Sequence, residues 1–248
     1  MNTTQTSLLR SSQIPITDLV SVQIPTIGSI LDIGENVYYQ HALSLTSTPY
    51  DVQASLHMQG IDYETINDYD LFCRGLIGLL DVGDNGQLTL SDSGKLILSI
   101  ETPLYFAKFK DGVVLSDRLG NVVIDELVAF EISEAIRKLH FWKRNERKPG
   151  NKEAKEYILQ KELKRYKRAM RKPPELVLEP EVVALVNNAN FPYDYESVMG
   201  LNIYSFNQSV RQIMHTRNVD FYMQGIYSGC IDSSKIDQKS LNIILPSE

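Results

Sequence analysis

Residues 81–124 read DVGDNGQLTLSDSGKLILSIETPLYFAKFKDGVVLSDRLGNVVI. Short β-prone runs (Leu88-Thr89-Leu90, Leu96 to Ile100, Leu104 to Phe109, Val113 to Leu115, Val122 to Ile124) alternate there with Asn85-Gly86, Asp111-Gly112 and Gly120-Asn121. Such dipeptides supply the positive φ that tight hairpins need, so the stretch predicts a small antiparallel sheet. On both sides of it apolar residues recur at helical spacing. The chain is therefore expected to be α+β, mainly helical, with a small central antiparallel β-sheet and a helical C-terminal half.

Towards the N-terminus, Ile14 to Ile27 alternates around Pro15 and Pro25, which predicts one or two short strands or an edge ribbon. Thr26 is placed to cap a helix carrying Ile27, Ile30, Leu31, Val37, Tyr38 and Leu45, with a break expected near Gly28 or Gly34. A second helix is expected over Pro49 to Met58, capped by Thr48 and stopped by Gly60, and a third over Asp68 to Leu80. Towards the C-terminus, Asp125 caps a helix running to about Trp142. Asn151 caps another to Arg171, which Lys172-Pro173-Pro174 ends. Pro180 to Asn188, Asp194 to Met199 and Ser205 to Met223 also carry helical periodicity, with Gly200, Gly225 and Gly229 as breakpoints. The expected division is a flexible segment over 1–13, an N-terminal helical region with the sheet over 14–124, and a helical C-terminal region over 125–248.

A length of 248 residues with 43% apolar and 23% charged residues suffices for a buried core and excludes a wholly disordered or fibrous chain. The polar start, Met1 to Gln13, has no secretory pattern, and no apolar run approaches the roughly 20 residues that span a bilayer. Cys73 and Cys230 form no disulfide framework and are expected to be buried small hydrophobes in a reducing cytoplasm.

A search for chemistry yields little. The segment Asp81 to Asp92 superficially resembles a calcium-binding loop, but its third position is Gly83 and its twelfth is Asp92 rather than Glu, so a hairpin turn is the better reading. His41, His57, His140 and His215 are scattered, without metal-ligand spacing. Asp62, Glu64, Asp68 and Asp70 are explained by capping and solvation. Lys148 to Lys152 lacks the second Gly and the Lys-Ser/Thr ending of a phosphate-binding loop and reads as a turn. No nucleophile elbow or dinucleotide fingerprint is present. The expectation is a protein with no catalytic residue, no metal and no cofactor.

Charge is the one feature above background. From Arg137 to Lys172 there are 15 Lys or Arg against 4 Glu, a balance of +11, while the whole chain carries -6, which leaves -17 for the remainder. Within the helix 151–171, Leu159, Leu163, Tyr166 and Met170 form an apolar stripe, and Lys161, Lys164, Arg165, Lys167, Arg168 and Arg171 crowd the remaining surface. Those six residues are the candidate partner-binding site. Three readings stay open: a stripe on the protein's own core with a solvated basic face, contact with an acidic protein surface, or nucleic-acid binding with Tyr157, Tyr166 or Trp142 stacking on bases. A helix-turn-helix over Glu181 to Gln212 is disfavoured, because Arg211 is its only basic residue.

Strings spread over most of the chain carry a resemblance. They are Ile24-Pro25-Thr26-Ile27-Gly28, Gly34-Glu35 with Tyr38-Tyr39, Gly60-Ile61-Asp62-Tyr63, Lys148-Pro149-Gly150-Asn151-Lys152, Tyr193-Asp194-Tyr195, Phe206-Asn207, and Gly225-Ile226-Tyr227-Ser228-Gly229 with Ile231-Asp232. In these the chain resembles a group of largely uncharacterised proteins of tailed bacteriophages and prophages of Gram-positive bacteria, found among tail and baseplate genes. The resemblance implies a role in tail morphogenesis, as a virion component or an assembly factor, and brings no catalytic residues. The group's pattern has a Trp close to the C-terminus where this chain has Leu241-Asn242-Ile243. The resulting expectation is a non-enzymatic tail or baseplate protein that binds other tail proteins in the host-cell cytoplasm, makes no membrane contact, and is oligomeric if built into the virion. The alternative is a nucleic-acid-binding protein using the basic helix.

Overall fold

A computed structural model describes residues 7–109, 112–145, 149–172 and 174–245. The chain opens with an antiparallel pair, β1 (Gln13–Pro15) and β2 (Val20–Gln23), turned by Thr17, whose Oγ1 accepts the N–H groups of Leu19 and Val20. Later in the chain β5 (Leu98–Ile100) adds to the free edge of β2. Next come α1 (Ile27–Ile33) and α2 (Glu35–Thr46). Thr26 caps α1 as its sequence predicts, and the break falls at Gly34, whose φ of 98° closes one helix and starts the next.

The expected second helix starts later than its sequence suggests. The carboxylate of Asp51 accepts both the N–H and the hydroxyl of Thr48 at 2.8 and 2.9 Å, which holds residues 48–51 in a turn, so α3 covers only Gln53–Met58. Gly60, at φ 76°, then redirects the chain. α4 is Asp68–Ile77, capped by Asn67, and ends earlier than expected because Leu80 already belongs to a strand.

The central strands do not form one sheet. β3 (Leu80–Val82) and β4 (Leu88–Leu90) make a two-stranded hairpin turned through Asn85 and Gly86, both left-handed, at φ 65° and 74°. The one-turn helix α5 (Asp92–Lys95), capped by Ser91, leads to β5. β6 (Tyr105–Phe109), β7 (Gly112–Ser116) and β8 (Val122–Ile124) form a third antiparallel group. Gly112 thus begins a strand, opposite Phe109, and its predicted turn partner Asp111 lies outside the described residues.

The helical remainder is α6 (Glu126–His140), α7 (Lys152–Ala169), α8 (Leu178–Val186) and α9 (Ile203–Tyr227). α6 buries Ala129, Ile132, Ile136 and Leu139, spaced three, four and three apart on one face. That face joins a single cluster with Tyr38, Ala42 and Leu45 of α2, Phe72 and Leu76 of α4, Val20 and Val22 of β2, and Ile203 and Phe206 of α9. The core therefore runs through residues from both halves of the chain. α6 also closes the C-terminal end of α2: Ser133 donates to the Leu45 carbonyl at 2.7 Å, and the Arg137 guanidinium donates to the Thr46 carbonyl. The 194–199 stretch is a 3-10 turn at Ser197–Gly200 rather than an α-helix. Gly225 lies inside α9 and does not break it. The Ile231 side chain lies where a Cβ on Gly225 would come within 2.4 Å of Cδ1, so the absence of that Cβ lets the chain fold back on the helix.

Candidate partner-binding surface

Asn151 starts α7, its side-chain oxygen accepting the Ala154 N–H at 2.7 Å. Glu153 in the first turn and Lys167 and Arg168 in the last complement the helix dipole. The helix rests on α3. Leu163 is buried, and Leu159 and Tyr166 are half-buried, as the apolar stripe predicts. Met170 departs from that prediction and is 71% exposed. With about 1.5 Å of rise per residue, the 18 residues of α7 outrun the 6 of α3, so the end of the stripe runs past the helix it rests on.

Near its N-terminus α7 is held by charge. Lys155 Nζ lies 2.6 Å from a Glu64 carboxylate oxygen, 3.4 Å from one of Asp62, and 4.9 Å from the centre of the Tyr63 ring. Its pKa is raised, chiefly by the hydrogen bond to Glu64. Asp62 is held below the usual carboxylate range, first of all by the Glu64 backbone N–H. On the other side of the acidic cluster, Asp68 pairs with Arg144, whose guanidinium also lies over the Phe130 ring. The acidic cluster therefore does more than cap and solvate: Asp62, Glu64 and Asp68 are internal counter-ions to the basic segment.

This divides the positive charge in two. Arg137, Arg144 and Lys155 are spent inside the fold, the first on Glu134 and the Thr46 carbonyl. Lys161, Lys164, Arg165, Lys167, Arg168 and Arg171 are all exposed. Among them Arg165 has a loose partner in Glu162, at 3.9 Å. At 3.6 residues per turn the five that lie on α7 (Lys161, Lys164, Arg165, Lys167 and Arg168) fall within an arc of about 160°, opposite Leu159, Leu163 and Tyr166, and over a length of about 10 Å, while Arg171 follows the end of the helix. Of the three aromatics suggested by sequence, Tyr157 stands on this arc and is 72% exposed. Tyr166 lies on the packed side. Trp142 stacks on His140 at 4.4 Å between ring centres and belongs to the core's edge. Lys148 lies outside the described residues.

The other residues with chemical potential are occupied structurally. His140 is buried beside Tyr38, with Nε2 2.9 Å from the hydroxyl, and burial lowers its pKa to about 3. His41 Nε2 lies 3.3 Å from Ser93 Oγ, and His215 Nε2 lies 2.7 Å from the Asn242 carbonyl oxygen. Cys73 is half-buried, whereas Cys230 is exposed, contrary to the sequence reading, because it follows the end of α9. Among the described residues no three His, Cys, Asp or Glu side chains gather as metal ligands, and no helix is long and apolar enough to cross a membrane.

A functional contact that sequence reading missed is made by Glu35. Its buried carboxylate accepts the N–H groups of Val177, Leu178 and Glu179, the first turn of α8, at 2.5, 3.2 and 2.9 Å. Pro180 follows and has no N–H to satisfy. The Glu35 carboxylate thus fixes the start of α8, and only the Gly34-Glu35 string hinted at it.

Residues 170–241, from the end of α7 through α8 and α9 to the last 3-10 turn, match the family model described as the YomV second domain. YomV is a Bacillus phage or prophage protein. The similarity is to a phage-associated domain. It agrees with the phage resemblance read from the sequence, and three of the quoted groups of strings, from Tyr193 onward, lie in the matched segment. No match was found among the curated proteins or among the solved structures.

Proposed function

We propose that this protein is a non-enzymatic phage tail or baseplate component, structural or assembly-related, that acts by protein–protein contact, docking the outer face of α7 on an acidic surface of another tail protein. The observation that carries this is the division of charge on the basic segment. Arg144 and Lys155 are paired with carboxylates of the body, and Lys161, Lys164, Arg165, Lys167 and Arg168 on the far side of α7 are exposed as one stripe. Such a stripe steers association with an anionic surface and fixes register. The phage-associated match over 170–241 supports the setting.

Nucleic acid is the second reading, favoured by Tyr157 beside the cations. The remainder of the chain, at -17, opposes it, since a duplex or long strand extending beyond the stripe meets repulsion. The test is to reverse charge at Lys164, Arg165 and Arg168 to Glu and to measure two associations by fluorescence anisotropy at two salt concentrations. One partner is a tail protein recovered by pull-down from infected cells; the other is a labelled oligonucleotide. Salt-sensitive capture of a tail protein, lost in the triple variant, is the expected result. Tight, salt-sensitive oligonucleotide binding flattened by the same variant overturns it, as does a variant indistinguishable from wild type.

A further inference from the structure

A second surface, apart from α7, has the opposite chemistry. The 190–193 segment, the first turns of α9 and Leu9 border an open groove of about 610 Å³, and none of its lining residues is charged. In a chain with 23% charged residues that neutrality is specific to the place. Tyr193 and Tyr204 are among the residues that line it. Tyr193 leans on Phe191, ring centres 5.1 Å apart, and Tyr204 is stacked on Phe141 at 5.4 Å, so both rings are held in position before any ligand arrives.

The lining also carries carboxamides. Gln208, one turn along α9 from Tyr204, donates Nε2 to the Tyr204 hydroxyl at 3.0 Å, which leaves its Oε1 without a partner among the described residues. The Asn190 carboxamide is likewise unpartnered among them; only its backbone N–H is engaged. Ser205 and Ser209 spend their protons on the Leu9 and Ser205 carbonyls and keep oxygen lone pairs.

We propose that this groove binds a short neutral oligosaccharide. An anionic or cationic ligand finds no counter-charge in the lining. A purely apolar one would strip water from the amides of Asn190 and Gln208 without replacing its hydrogen bonds. A sugar hydroxyl both donates and accepts, as a carboxamide does, and the C–H face of a pyranose ring presents a flat apolar surface to Tyr193 or Tyr204. An extended peptide is disfavoured because no sheet edge borders the groove; the α9 backbone groups beside it are bonded within the helix.

The test uses the full chain on a printed array of neutral and acidic glycans, followed by saturation-transfer NMR and calorimetry with the best soluble neutral oligosaccharide. The expected result is selection of neutral glycans, with transfer from tyrosine ring protons. Tyr193→Ala and Gln208→Leu should each weaken binding about tenfold, with Lys164→Glu on α7 unchanged. Tyr193→Phe, which keeps the stacking ring and the fold, should retain binding. Absence of glycan binding, preference for acidic glycans, binding indifferent to both groove substitutions, or displacement by a neutral peptide overturns the proposal. None of these outcomes bears on the role of α7.

Discussion

Glu35 Oε2 accepts the backbone N–H of Glu179 at 2.9 Å, joining residues 144 positions apart. With Val177 and Leu178 on Oε1, one buried carboxylate serves as the N-terminal cap of a helix that supplies no capping side chain of its own. Replacing it by Ala removes the acceptor of three N–H groups at the positive end of α8, that of the buried Leu178 among them. Glu35→Ala is expected to destabilise by about 2–3 kcal/mol in urea denaturation, and Glu35→Gln by less, since the amide keeps one acceptor. Equal stability of wild type and Glu35→Ala would show that the cap is dispensable.

The seat of α7 depends on Lys155, which meets Asp62, Glu64 and Tyr63 at once. Lys155→Met keeps much of the aliphatic stem and removes the charge. Amide exchange over α7 should then quicken severalfold while α6 is unaffected, because local opening follows the weakest attachment. The triple reversal at Lys164, Arg165 and Arg168 should leave that exchange unaltered, which separates anchoring from docking.

His140 makes stability depend on pH. Burial depresses its folded pKa to about 3 from an ordinary 6.5. Below about 6.5 the unfolded chain takes up a proton that the folded chain refuses, so stability present at neutral pH is lost as pH falls towards 3. The loss from this group between pH 7 and pH 4.5 is about 2–3 kcal/mol. Glu181, whose pKa burial and then Glu35 raise, contributes in the opposite sense, giving up stability as pH rises. A comparison of wild type with His140→Gln at both pH values isolates the histidine. Parallel curves for the two proteins would refute the assignment.

The sequence by itself determined the local elements wherever a side chain acts on its own neighbours. Thr26, Asn67, Asp125 and Asn151 cap helices because each oxygen reaches an N–H three residues on. Asn85 and Gly86 turn a hairpin because both tolerate positive φ. The basic face of α7 was legible too, since its seven-residue apolar rhythm leaves one direction for the cations. Helical phase already sets Lys155 on the face of Leu159 and Leu163 and Lys161 on the far face; tertiary structure alone decided that the first meets Asp62 and Glu64, some 90 positions earlier. The Glu35 cap on α8, the break-up of the expected sheet into three, and the neutral groove of Asn190, Tyr193 and Gln208 have the same origin. Each requires groups far apart in the chain to meet, and a periodicity or turn signal acts only over a few residues, so the packed core was needed to bring them together.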